Sequence, residues 1–140
     1  MIALIETNVI LDYVLKREPH AAATKTCLDT LVHRKTKLWL PVSALTDIYY
    51  TTLQAHKDAY AGKAIISKLL NAFQIVVIDK ADCIRALELD VDDYEFALLA
   101  TAAKRLKAAH IITNYTDAFR NSPVTAISPE EWVQVYGRQT

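Results

Sequence analysis

Apolar positions in this chain fall into two rhythms that take turns. Ile2–Ile5 is unbroken and stops on Glu6, Thr7 and Asn8, after which apolar residues return at helical spacing in Val9, Ile10, Tyr13 and Val14. A short apolar run with no polar face predicts a strand buried on both sides, as in the middle of a parallel sheet. Thr7 or Asn8 then stands where a helix cap is needed. The same reading predicts helices over Val9–Lys16 and Ala21–Arg34, a strand over Lys37–Pro41, and a helix from a Ser43 cap to about His56. Lys57–Ala72 follows as a further helix and Gln74–Ile78 as a strand, with helices over Ala81–Leu89 and from Asp92 or Asp93 to about Ala108. Ile111–Thr113 is a predicted strand, Asp117–Arg120 a single turn, and Val124–Ala126 a short last strand before a helix opened by Ser128 and Pro129.

Strands separated by helices require right-handed crossovers, so the expected fold is a three-layer α/β/α sandwich with a mostly parallel sheet of four or five strands. Ile2–Ile5 is expected at its centre, and residues 1–140 are expected to form one domain. Glu6 then sits at the carboxyl end of a central strand, where open α/β sheets place their ligands. An acid there is costly unless a metal, a donor or water meets it.

Composition narrows the picture. With 2 Gly and 4 Pro in 140 residues there is no linker or low-complexity segment. The 16 Lys and Arg balance 16 Asp and Glu, so any nucleic-acid partner must be held by a local patch or by metal ions, not by net charge. Cys27 and Cys83 lie far apart in helical segments, without the CxxC spacing of a metal site, and read as buried thiols. No apolar run approaches the roughly 18 residues of a membrane span, and no basic stretch precedes a long apolar one near residue 1, so a cytoplasmic protein with no membrane partner is expected.

The acids gather meaning from this frame. Glu6 follows the first strand, Asp47 opens the helix after the second, Asp90, Asp92, Asp93 and Glu95 crowd one helix start, and Asp117 follows the strand ending at Thr113. In a parallel sheet these points share one edge, so carboxylates distant in sequence can converge. Converging carboxylates repel unless a cation neutralises them, and an all-oxygen set favours Mg²⁺ or Mn²⁺. Two such ions can activate a water and stabilise the leaving oxygen of a phosphodiester.

Four strings in order, Glu6-Thr7-Asn8, Ser43 to Tyr50, Asp93 to Leu98, and Thr113 to Phe119, resemble the PIN domain, a family of small metal-dependent nucleases. The resemblance runs over essentially the whole chain. It implies a Mg²⁺- or Mn²⁺-dependent ribonuclease with Glu6, Asp47 and Asp117 as catalytic and metal-binding acids, and Asn8, Ser43 and Thr113 supporting them. It also implies RNA as substrate, a homodimer, and a role as the toxin of a toxin–antitoxin pair, with an antitoxin protein as partner. The departures are specific. The family's first Asp is Glu6, its Glu is Asp47, and its third acid falls on Phe96, which cannot bind a metal. One methylene moves an oxygen by about 1 Å, more than catalytic geometry readily absorbs. Phe96 is in phase with Leu99, Ala103 and Leu106 and extends that apolar stripe, whereas Asp93, three residues earlier, offers a substitute ligand. The alternative reading is a domain that has lost catalysis and binds RNA or protein as an inert module. Lys104, Arg105 and Lys107 read either as a solvated helix face or as phosphate contacts.

Overall fold

The computed structural model describes residues 1–137. Its strands are β1 (Ile2–Ile5), β2 (Lys37–Pro41), β3 (Gln74–Val76), β4 (His110–Ile112) and β5 (Ala126–Ile127). Its helices are α1 (Thr7–Val14), α2 (Ala21–His33), α3 (Val42–His56), α4 (Ala59–Ala72), α5 (Lys80–Leu87), α6 (Tyr94–Leu106) and α7 (Pro129–Tyr136), with a 3-10 turn at Thr116–Phe119. All five strands pair in parallel in the order β3-β2-β1-β4-β5. β1 is therefore central, and the expected three-layer α/β/α sandwich is the fold of the chain.

The centre of β1 explains its composition. Successive residues of a strand face opposite sides, and here both sides are covered. Ala3 and Ile5 join Ile10, Leu31, Leu40, Ile48, Ile112 and Trp132 in one core layer. Leu4 joins Val76, Leu99, Ala103, Ile111 and Phe119 in the other. A fully buried aliphatic side chain contributes roughly 1.5–3 kcal/mol, so a polar residue at position 4 or 5 would cost one layer outright. Among the described residues no helix is long and apolar enough to cross a membrane. Cys27 is buried and Cys83 half-buried, and both are free thiols.

Two helix starts differ from the expectation. Helix α1 begins at Thr7 because Glu6, extended at φ −77 and ψ 146, folds its carboxylate back onto the Asn8 N–H and is itself the cap. Helix α3 begins at Val42 straight out of β2, with the extended Pro41 at the cap position, so Ser43 lies inside the first turn. At four other starts the caps are side chains that accept from the first turn, Asp58, Asp93, Ser128, and Asp79 in a reciprocal box with Asp82, while α2 starts after His20 with no side-chain cap.

From β1 the chain winds outward to β2 and β3, then returns to β4 on the other side of β1 and continues to β5. The direction reverses between β1 and β4. A crevice opens at such a point, beyond the carboxyl ends of the two strands, and Glu6 and Thr113 are the first residues past those ends.

Candidate active site

Glu6 forms the floor of the crevice. It is 3% exposed. Its backbone N–H donates to Ile112 O at 3.0 Å, which locks the end of β1 against β4. The carboxylate accepts from the Asn8 N–H and, at 3.1 Å, from the Asn8 amide, while Thr113 Oγ1 donates to its other oxygen at 3.0 Å. Burial pushes the Glu6 carboxyl above its usual range. The Asn8 and Thr113 donors pull against that rise, and the charge of Glu95 adds to it.

Above this floor lies a cleft of about 440 Å³. Glu6, Asp47, Asp93 and Glu95 line it, together with Ser43 and the rings of Tyr50, Phe96 and Tyr115. Among the described residues, none that lines it is Lys, Arg or His. Asp47 reaches it from the second turn of α3. Asp93 caps α6 by accepting from Phe96 N–H at 3.1 Å, and Glu95 stands in that helix's first turn. The Glu95 carboxyl is also pushed up, first by desolvation and then by the charges of Asp47 and Asp93. These acids, brought from three separate parts of the sequence, therefore feel one another's charge across the cleft.

The donor set is all oxygen, which suits a hard divalent ion. No three Asp, Glu, His or Cys among the described residues are grouped to share one ion directly. Such an ion would take one or two carboxylates and complete its shell with water, a common arrangement for Mg²⁺. To that extent the residues fit the metal that the family resemblance implies.

Several sequence expectations need correction. Asp117 is exposed on the 3-10 turn and does not line the cleft. Tyr115 N–H donates to Thr113 Oγ1 at 3.1 Å, a tight turn that gives the cleft a tyrosine ring, and Phe119, 2% exposed, anchors the segment beyond it. Glu95 takes the place expected of Asp117. Its only sequence signal is membership of the acidic run before α6. Arg105 is not free for phosphate, because its guanidinium grips Asp82 at 3.1 and 2.7 Å and Val77 O at 2.7 Å. Lys104, Arg105 and Lys107 also stand well beyond Glu95 along the chain, roughly 14–18 Å at the helical rise. Phe96 is half-buried and packs its ring 4.9 Å from Phe119 and 5.6 Å from Tyr115.

A second polar group adjoins the floor and was not foreseen. Asp12, 6% exposed, pairs with Arg17 Nε at 2.9 Å and accepts from the Asn114 amide at 3.4 Å. Arg17 Nη2 also donates to Asn8 O at 3.2 Å and to Asn8 Oδ1 at 3.5 Å. The guanidinium thereby takes the oxygen end of the Asn8 amide and leaves its nitrogen end to Glu6. Asn8 and Asp12, four apart on α1, share one helical face, which is the trace of this network in the sequence.

Fold and cleft together define a small parallel α/β/α domain with an oxygen-rich acidic site at its topological switch point. The sequence model of the PIN domain matches residues 3–117, and the chain belongs to that family. No curated protein matches it by sequence. Solved structures share its fold. One is VapBC2 from Rickettsia felis bound to a DNA fragment from their promoter, with a TM-score of 0.69 and 16% identity over 91% of this chain and 98% of that one. Another is a toxin-antitoxin complex from Klebsiella pneumoniae, at 0.69 and 17% over 92% and 98%. FitAcB from Neisseria gonorrhoeae matches at 0.69 and 18% over 92% and 98%.

Proposed function

We propose that this PIN domain is a divalent-metal-dependent ribonuclease of low activity, working as the toxin of a cytoplasmic toxin–antitoxin pair. The observation that carries the nuclease reading is the convergence of Glu6, Asp47, Asp93 and Glu95 on one cleft, with no basic side chain lining it among the described residues. The toxin role draws on the toxin–antitoxin complexes that share the fold.

Asp47 and Glu95 would hold a Mg²⁺ or Mn²⁺ ion, with Glu6 below and Asp93 at the rim. When bound, the ion supplies a water of lowered pKa and offsets charge on the phosphodiester. Glu6 is oriented by three donors and cannot swing, so it presents a fixed negative floor. Glu95, its carboxyl raised by desolvation and then by the charges of Asp47 and Asp93, is the acid whose repulsion a bound cation would relieve most directly. Phe96 removes one acid of the family pattern and Asp117 stands outside the cleft, which is why the expected rate is low.

Phe96 also favours a second reading, in which the domain binds RNA without cutting it. Calorimetric titration with Mn²⁺, run beside cleavage of a fluorogenic single-stranded RNA, separates the two. Binding and cleavage that are lost in Glu95→Gln but kept in Asp117→Asn support the nuclease. A wild-type protein that neither binds Mn²⁺ nor cleaves RNA refutes it.

A further inference from the structure

Phe96 is the residue that the acidic chemistry leaves unexplained, and it belongs to a ladder of rings. Phe119, buried at 2%, packs against Phe96 at 4.9 Å and 33°, and Phe96 packs against Tyr115 at 5.6 Å and 31°. The ladder runs from the core outward and ends on Tyr115, which is 49% exposed and lines the acidic cleft. Core packing alone accounts for Phe119 and half of Phe96, but not for a tyrosine ring presented to solvent beside four carboxylates.

Resting on the ribonuclease reading for the class of ligand, we propose that Tyr115 is a stacking platform that receives an unpaired base of single-stranded RNA next to the acids. Two features prepare the ring. Its backbone N–H is held by Thr113 Oγ1, the same hydroxyl that donates to Glu6, so platform and floor share one fixed point. Phe96 backs the ring from behind, so little side-chain freedom remains to be lost on binding. Electrostatics makes stacking matter more here than in most nucleic-acid sites. Among the described residues the cleft lining includes four carboxylates and no Lys, Arg or His, and the chain has no net charge, so attraction to phosphate is weak. A base face is uncharged, stacks on an aromatic ring whatever its sequence, and is hidden in a duplex. At the position where the family carries a ligand acid, this chain has exchanged metal affinity for a grip on the base.

The test is binding of a fluorescein-labelled ten-nucleotide single-stranded RNA, followed by anisotropy in Ca²⁺ and again in EDTA, with the blunt duplex of the same sequence as comparison. Tyr115→Leu is expected to weaken single-strand binding about tenfold and Tyr115→Trp to preserve or tighten it. Phe96→Leu, which withdraws the backing ring, is expected to weaken it about threefold. The duplex should bind weakly and alike to all four proteins. Equal single-strand affinity for wild type and Tyr115→Leu overturns the proposal, as does a wild type that binds neither form. Tyr115-dependent binding without Mn²⁺-dependent cleavage would fell the ribonuclease reading alone, whereas cleavage indifferent to Tyr115 would fell the platform alone.

Discussion

Glu6→Gln is expected to leave the protein about as stable as wild type, while Glu6→Ala is expected to lose about 3 kcal/mol. Glutamine keeps the shape. Its carbonyl can accept from both Asn8 donors, and its amide can donate to Thr113 Oγ1, which accepts from Tyr115 N–H and has a second lone pair free. Trading charge-assisted for neutral hydrogen bonds costs about 1 kcal/mol, and removing a desolvated carboxylate returns a comparable amount. Alanine loses the cap, worth about 1 kcal/mol. It also strands the buried Thr113 hydroxyl and the Asn8 amide, at about 1–3 kcal/mol for a stranded buried group. Because the Glu6 pKa is raised above 4.5 in the folded state, its ionisation weighs against folding progressively as pH rises from 4.5 and fully above the folded value. The stability of Glu6→Gln relative to wild type should therefore grow as pH rises from 4 to 7.5, while the Gln–Ala gap stays constant. Urea unfolding at both pH values measures this, and the Gln–Ala gap should appear as a melting difference of about 10 °C for a domain of this size. Equal losses for Gln and Ala, or a Gln advantage that shrinks with rising pH, would show that Glu6 is not a buried, strained carboxylate.

Three further outcomes are expected. Phe96→Asp restores an acid beside Asp93 and Glu95 and should raise Mn²⁺ affinity and cleavage at least tenfold, measured by calorimetry and RNA turnover; unchanged affinity would show that the cleft cannot use a ligand there. Asp82 has its pKa lowered, chiefly by the Arg105 hydrogen bonds, so its stabilisation holds above about pH 4 and is lost as pH falls through the folded value. Asp82→Asn should accordingly flatten the acid limb of the stability curve and cost about 2 kcal/mol at pH 7, a discounted figure because Arg105 is 40% exposed. Exposed Val42, Tyr50, Tyr60 and Leu70 on α3 and α4 suit a two-fold dimer, so light scattering at micromolar concentration should give twice the mass of one chain, and a monomeric mass would count against it.

The strand pattern was legible because a strand with no solvent side has no freedom in composition: Leu4 and Ile5 serve opposite layers and both must be apolar. Helix starts were less so. Glu6 is not among the usual cap residues, yet its carboxylate curls back to accept from the Asn8 N–H and caps α1. Within the site, Glu6, Asp47 and Asp93 could be placed from their positions after strands and at helix starts. Asp117 could not, because its direction depends on how the Thr113–Tyr115 bond turns the backbone, a local geometry that residue type does not encode. Glu95 does not stand out from its acidic run as a ligand for the complementary reason, since a helix-start acid in a run of acids reads as solvated until its neighbours from α3 are known. Arg17 lay beyond reach, its partners Asn8 and Asp12 being joined to it across a turn.

The Asn8 amide has a head and a tail, and both are spoken for. With the guanidinium of Arg17 on its oxygen and the carboxylate of Glu6 on its nitrogen, the group acts as a polarity relay that cannot be reversed without offending both neighbours. Electrical information therefore passes from the surface turn after α1 to the buried floor through one rotatable bond. An acid placed at position 17 would take the donor from the Asn8 oxygen and set a like charge against Asp12, loosening the amide's hold on Glu6 without any substitution in the cleft wall.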